Sequence, residues 1–146
     1  MNRRERIVDT VHRIAEAHER EASIAMVRAQ AAQREAVEVR SELIAESDAA
    51  EAGLIGRGQL GGVERELLWA HRTWFHHQLE HSEERLALTE AEVEAARNKL
   101  VARKQETRVR ERVKDHVATQ ERGIRDDKAQ RELDEIAGRR ATTPRE

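Results

Sequence analysis

Residues 71–81, HRTWFHHQLEH, gather four of the chain's seven histidines and two of its three aromatic residues into eleven positions. Imidazole is the commonest metal ligand, so the first chemistry to weigh is a metal site. His77-x-x-Glu80-His81 matches the H-x-x-E-H string of inverted zinc proteases. In that string two histidines one helical turn apart bind zinc, and the glutamate is placed to act as base. A catalytic zinc needs a third protein ligand and a walled cleft that controls water. Here Glu84 shares a helix face with His77 and His81, which completes at most a weak surface site. The Glu-x-x-His of di-iron bundles fails as well, because Gln78 stands three residues before His81. No catalytic residue, metal or cofactor is assigned, and the chain is not expected to be an enzyme. A solvated helix face is the plainer reading of the histidines.

Two further strings suggest chemistry. Gly56-x-Gly58-x-x-Gly61 is a literal G-x-G-x-x-G, but the dinucleotide fingerprint needs a preceding strand, and what precedes is a helical pattern. A flexible turn is the reading it supports. From Arg97 to Lys114 eight basic residues face only Glu106 and Glu111. This block has no interleaved aromatics for base stacking, so nucleic acid is not expected. An acidic protein partner and a solvated face with intrahelical pairs both remain open. Trp69, Trp74 and Phe75 cluster instead in a chain with little core to hide them. They read either as an exposed partner-binding group or as a cap on one end of the fold.

The elements that must position these residues follow from composition and period. Of 146 residues 38% are hydrophobic and 38% charged, only 2% are aromatic, and the single proline is Pro144. That mixture suits long helices or a coiled coil. There is no cysteine, hence no disulfide or thiolate site, and the net charge of −2 gives no global pull toward nucleic acid or membrane. The start, MNRRERIV, has no apolar signal core, and no segment reads as membrane-inserting. A cytoplasmic or peripheral protein is expected.

Five of the seven glycines fall in residues 53–62. They divide the chain into a helix over 2–51, a Gly-rich loop over 53–62, a helix over 63–137 and a frayed tail over 138–146, all within one coiled-coil domain. Asn2 and Glu5 are spaced as a capping box. The first seam reads Ile7, Val11, Ile14, His18, Ala22, Ala25, Ala29, Ala32, Ala36, Val39, Leu43, with one stutter at His18–Ala22. The second reads Leu68, His71, Phe75, Leu79, Ser82, Leu86, Thr89, Val93, Ala96, Leu100, weakens at Arg103, and resumes at Val109, Val113 and Val117. Gly123 is a weak point, and Gly138 is placed as the stop. One narrow seam per arm predicts an all-α fold, an antiparallel coiled-coil hairpin whose second helix is longer and overhangs. Folding at the loop sets residue i opposite about 115 − i, so Ile7 falls near Arg108, Leu43 near Arg72 and Ile14 near Val101. Val117, Ile124, Leu133 and Ile136 are then left without an intramolecular partner.

This layout resembles the flagellar export protein FliJ family and its injectisome counterparts. The stretch WFHHQLEHSEERL is similar to that family's Phe-x-x-x-Leu-x-x-small face, and RELDEIAGRRA to its terminal segment. The resemblance implies a non-enzymatic coiled coil that binds an export ATPase ring of the FliI kind, an export gate protein of the FlhA kind, and export chaperones, at the inner face of the cell membrane. Carried over by position, Phe75, Leu79, Ser82 and Leu86, with the neighbouring Trp74, would bind the gate. Leu133, Asp134, Glu135, Ile136 and Ala137 would bind the ATPase. Members of that family can carry tyrosines late in the first helix, where this chain has Asp48 and alanines, so the resemblance does not extend to the first-helix half of a gate site. A generic coiled-coil dimerisation scaffold is the other reading of the same pattern.

Overall fold

The computed structural model describes residues 1–56 and 61–142. The chain is all-α. Helix α1 spans Arg3–Ile55 and helix α2 spans Gly62–Thr142, and the two pack antiparallel as a hairpin. Among the described residues no helix is long and apolar enough to cross a membrane.

The capping box starts α1. Glu5 N donates to Asn2 Oδ1 at 2.8 Å, and Asn2 N donates to Glu5 Oε2 at 2.8 Å. Both bonds satisfy amides that the helix itself leaves unpaired. α1 then passes through Gly53, assigned to the loop by sequence, and runs to Ile55, where Gly56 N closes on Ala52 O at 2.9 Å. Arg57–Leu60, including Gly58 of the glycine string, lie outside the described residues. α2 begins at Gly62 with Glu64 in its first turn, where the helix dipole favours an acid. It passes through Gly123 and also through Gly138, the expected stop, and reaches Thr142. Thr142 Oγ1 donates back to Gly138 O at 3.1 Å, and Arg139 and Arg140 lie in the last turn, where cations suit the carbonyl end. The rest of the expected tail, 143–146, lies outside the described residues.

The contacts gather into two compact units: Met1–Arg20 with Ala102–Glu146 (the terminal unit), and Glu21–Val101 (the middle unit). In the middle unit α1 turns inward Ala22, Met26, Ala29, Gln33, Ala36, Arg40, Leu43 and Ser47. Those spacings alternate four and three, an uninterrupted heptad with Ala22 at d and Met26 at a. α2 answers with the seam expected from sequence, Leu68 through Leu100.

In the terminal unit both expected seams shift. On α1 the inward residues are Val8, His12, Ala15 and Glu19, while Ile7 and Ile14 stand about half exposed. The heptad therefore continues unbroken and no stutter is needed. On α2 the inward residues are Arg103, Thr107, Lys114 and Val117, while Val109 and Val113 turn outward. Val117, expected to be unpaired, is 4% exposed. The reason is electrostatic as much as apolar. Lys114 Nζ lies 3.0 Å from Asp9, and Arg103 bonds Glu106 at 3.1 Å and reaches His18 at 3.5 Å. Polar side chains long enough to reach a partner can hold seam positions that apolar periodicity alone would give to valine.

The pairing register is also displaced. Ser47, expected opposite Leu68, shares a hydrogen bond with His71 at 3.0 Å, and Arg72, expected near Leu43, bonds Glu51 at 2.9 Å. α1 runs past its expected end at 51 to Ile55, while α2 begins at Gly62, one residue before its expected start, so the reversal moves toward the C-terminus. Each residue of that movement shifts the pairing by two.

Polar contacts tie the start of α1 to α2. Arg4 donates to Gln120 at 3.1 Å and lies 3.7 Å from Glu121, and Glu5 receives Arg125 at 2.7 Å. Glu5 is held below its usual 4.5, first by its backbone bond at Asn2 and then, against some desolvation, by Arg125. Asp9 is held below its usual 3.8, first by the Lys114 hydrogen bond and then by Arg13. A depressed carboxyl stabilises the fold above its unfolded pKa, and that contribution is lost as pH falls through the folded value. Hydrogen exchange, corrected for intrinsic rate, should therefore show amides 3–12 losing protection as the pH is taken well below 3.8, before the amides around Thr89 and Val93. A separate check concerns register. In a chain with no native cysteine, Ser47→Cys with His71→Cys should crosslink within one chain, and crosslinks only between chains would rule out the hairpin.

Candidate partner interface

In α2 of the middle unit, Phe75, Leu79, Ser82 and Leu86 occupy a and d positions. They face α1. Ser82 is 8% exposed and the other three are partly buried. Four of the five residues expected to meet an export gate are thus the residues that hold the hairpin together. Trp74, the fifth, is 51% exposed.

Trp74 belongs to a row that the sequence reading missed. Leu67, Trp74, His81 and Leu88 are seven residues apart, all at position c, and all exposed. Leu67 and Leu88 are more than half exposed. The signal was available, since every seventh residue beside the seam is uncharged in a chain that is 38% charged. Position c adjoins g, and in an antiparallel pair the two g edges lie together. Val39 and Leu43 of α1 accordingly line one shallow groove with Gln78, His81 and Arg85 of α2. Trp69 is 72% exposed at position e, away from that row.

The histidines divide by position. His71 is partly buried, bonded to Ser47, with its ring 5.9 Å from that of Trp74. The bond and the ring contact give this imidazole a packing role. His76 lies 3.0 Å from Glu80, an i,i+4 pair on an exposed face. Glu80 is thus engaged by His76 rather than poised between His77 and His81. His77 sits at outward position f, and His81 at c, on the rim of the groove it shares with Val39 and Leu43. Among the described residues no three of His, Cys, Asp and Glu are grouped to hold a metal ion. The site can bind by apolar contact and by hydrogen bonding.

In the terminal unit every residue from Arg122 to Thr142 is exposed. Leu133 is 61% and Ile136 49% exposed, with Asp134, Glu135 and Ala137 beside them. The five residues expected to meet an ATPase therefore stand on a helix segment that α1 does not cover. It is about 30 Å long at 1.5 Å per residue. Gln130 bonds Asp134 at 3.0 Å and Arg139 bonds Glu135 at 2.6 Å, so these two acids are held along the helix.

No family model matches the chain, and neither a curated protein nor a solved structure is similar to it.

The seam and the row beside it separate by mutation. Phe75→Ala should lower stability by about 2 kcal/mol, part of the ring being exposed already. Trp74→Ala should lower the melting temperature much less, since the one ring contact it removes is with His71 at the edge of the seam. Thermal melts followed by circular dichroism measure both.

Proposed function

We propose that the chain is a non-enzymatic coiled-coil adaptor of a flagellar-type protein export apparatus, binding an ATPase ring of the FliI kind, a gate protein of the FlhA kind and export chaperones. One observation carries the reading: a hairpin with two separate unpartnered surfaces, the uncovered segment 122–142 and the exposed row Leu67, Trp74, His81, Leu88. An adaptor needs surfaces that its own fold leaves unused. The likeness of WFHHQLEHSEERL and RELDEIAGRRA to the FliJ family supplies the identity of the partners. In this proposal the protein works in the cytoplasm and at the inner face of the membrane. The gate contact is carried by Trp74 and its row, with Phe75, Leu79, Ser82 and Leu86 presenting it from beneath. The ATPase contact is carried by Leu133–Ala137.

Pull-downs against purified ATPase and gate, run separately, test it. Trp74→Ala with Leu88→Ala should weaken gate binding roughly tenfold to a hundredfold and spare the ATPase. Removing residues 126–146 should do the reverse while leaving Arg125 on Glu5. Failure of the intact chain to bind either partner, together with a stable dimer in sedimentation, would replace this reading with the generic scaffold.

A further inference from the structure

The two residues that α1 leaves out of the seam near its start, Ile7 and Ile14, occupy position c, with Val11 at g between them. On α2, Val109 is at c and Val113 at g. In an antiparallel pair the g edges adjoin, and here the Arg4–Gln120 bond joins two g positions directly. Ile7, Val11, Ile14, Val109 and Val113 therefore lie on one side of the terminal unit, flanking the line between its helices. Four of the five are exposed and Val11 is partly so.

The charges beside this strip are mostly basic, and the acid among them is already engaged. Arg3 and Arg6 line the same depression as Ile7, Thr10 and Val11. Arg110 and Arg112 neighbour Val109 and Val113 on α2. Among the described residues none of these four arginines makes an ion pair, whereas the nearby acid Glu106 is held by Arg103. On α1 Asp9 and Glu16 stand at e, beside Arg13 and Lys114 and beside His12, while Glu5 and Glu19 occupy seam positions and Glu5 receives Arg125. The terminal unit is thus sorted: the e side carries engaged acids, and the g side carries an apolar strip with Arg3 and Arg112 at the flanking f positions and Arg110 at d between the helices.

We propose that this strip is a docking site for an amphipathic helix of a partner protein, one with an apolar stripe flanked by Asp and Glu. A helix laid between the g edges buries its stripe on Ile7, Ile14, Val109 and Val113 and sets its acidic flanks against Arg3 and Arg6 on one rim and Arg112 on the other. A second copy of this chain fits less well, because any pairing through this face sets a basic rim against a basic rim. The inference rests on the hairpin alone and stands or falls apart from the export reading.

The probe is a synthetic amphipathic helix of about 20 residues, leucine along one stripe and glutamate on both flanks. Its twin carries lysine for every glutamate. Binding to the full chain is read by fluorescence anisotropy at near-physiological salt. The glutamate helix should bind at least about tenfold more tightly than the lysine helix. Val109→Asp, and independently Ile14→Asp, should abolish that binding with helicity unchanged. Arg3→Glu combined with Arg112→Glu should invert the preference. The proposal is overturned if neither helix binds, if both bind alike, or if binding survives Val109→Asp and Ile14→Asp. It is equally overturned if these substitutions dissolve an oligomer of the chain alone, which would make a second copy the occupant. Val109-dependent uptake onto phosphatidylserine vesicles without helix binding would make it a membrane face.

Discussion

Everything in this molecule follows from the thinness of its seam. Two helices in contact share one line of a and d positions, and a side chain there is covered from one direction only. Among the described residues no large side chain is fully buried, and the best-covered apolar ones are chiefly small, such as Ala15, Ala22 and Ala36. Alanine lets the backbones approach but removes little area from water. Ser47, Ser82, Thr89 and His12 are as well covered as the valines, and among the described residues no buried side-chain nitrogen or oxygen is left without a partner. Thr89 closes on Leu86 O and Ser47 on His71, so polar groups enter the seam without the cost of an unmade hydrogen bond. The stability of such a fold is spread along its length, with no centre whose loss alone would be decisive.

The same thinness decided how much of the fold was legible in the sequence. Where seam residues are large and their neighbours polar, as from Leu68 to Leu100, spacing identified the inward face residue by residue. Where the choice lay between isoleucine and alanine or histidine, the larger side chain was taken as inward, and Ile7 and Ile14 displaced Val8, His12 and Ala15. Apolar periodicity measures which residues shun water, and in a two-helix protein there is more such surface than one seam can cover. The polar seam of the terminal unit was hidden for the converse reason, since Lys114 and Arg103 show their role only through Asp9, Glu106 and His18. The expected gate residues illustrate a further ambiguity: a Phe and a Leu four apart mark one helix face, and spacing alone cannot say whether that face turns to the chain's own partner helix or to another protein.

Charge supplies the specificity that the seam lacks. A line of alanines pairs about equally well in several registers, whereas ion pairs at defined positions do not. In the middle unit Arg40 meets Glu83 and Arg72 meets Glu51; in the terminal unit Asp9 meets Lys114 and Glu5 meets Arg125. In each of these pairs one partner sits at a seam position and the other beside it on the e edge. Such exposed pairs contribute little stability individually. Their effect is to make neighbouring registers worse, because a shift of one heptad separates every pair at once.

That division of labour leaves the large exposed apolar residues without an intramolecular reason. Ile7, Ile14, Val109 and Val113 keep about half of their surface in water in the folded chain, so much of the stability their burial could give is unused. As β-branched residues they propagate a helix less well than the alanines this sequence uses freely, a difference of a few tenths of a kcal/mol at each position. Lysine or glutamate there would serve both helicity and solubility better. Their fall on one edge rather than scattering round both helices separates them from the isolated surface hydrophobes that any protein tolerates. The edge opposite carries the paired acids that fix the register, so the hairpin uses one side of the terminal unit to define itself and keeps the other free.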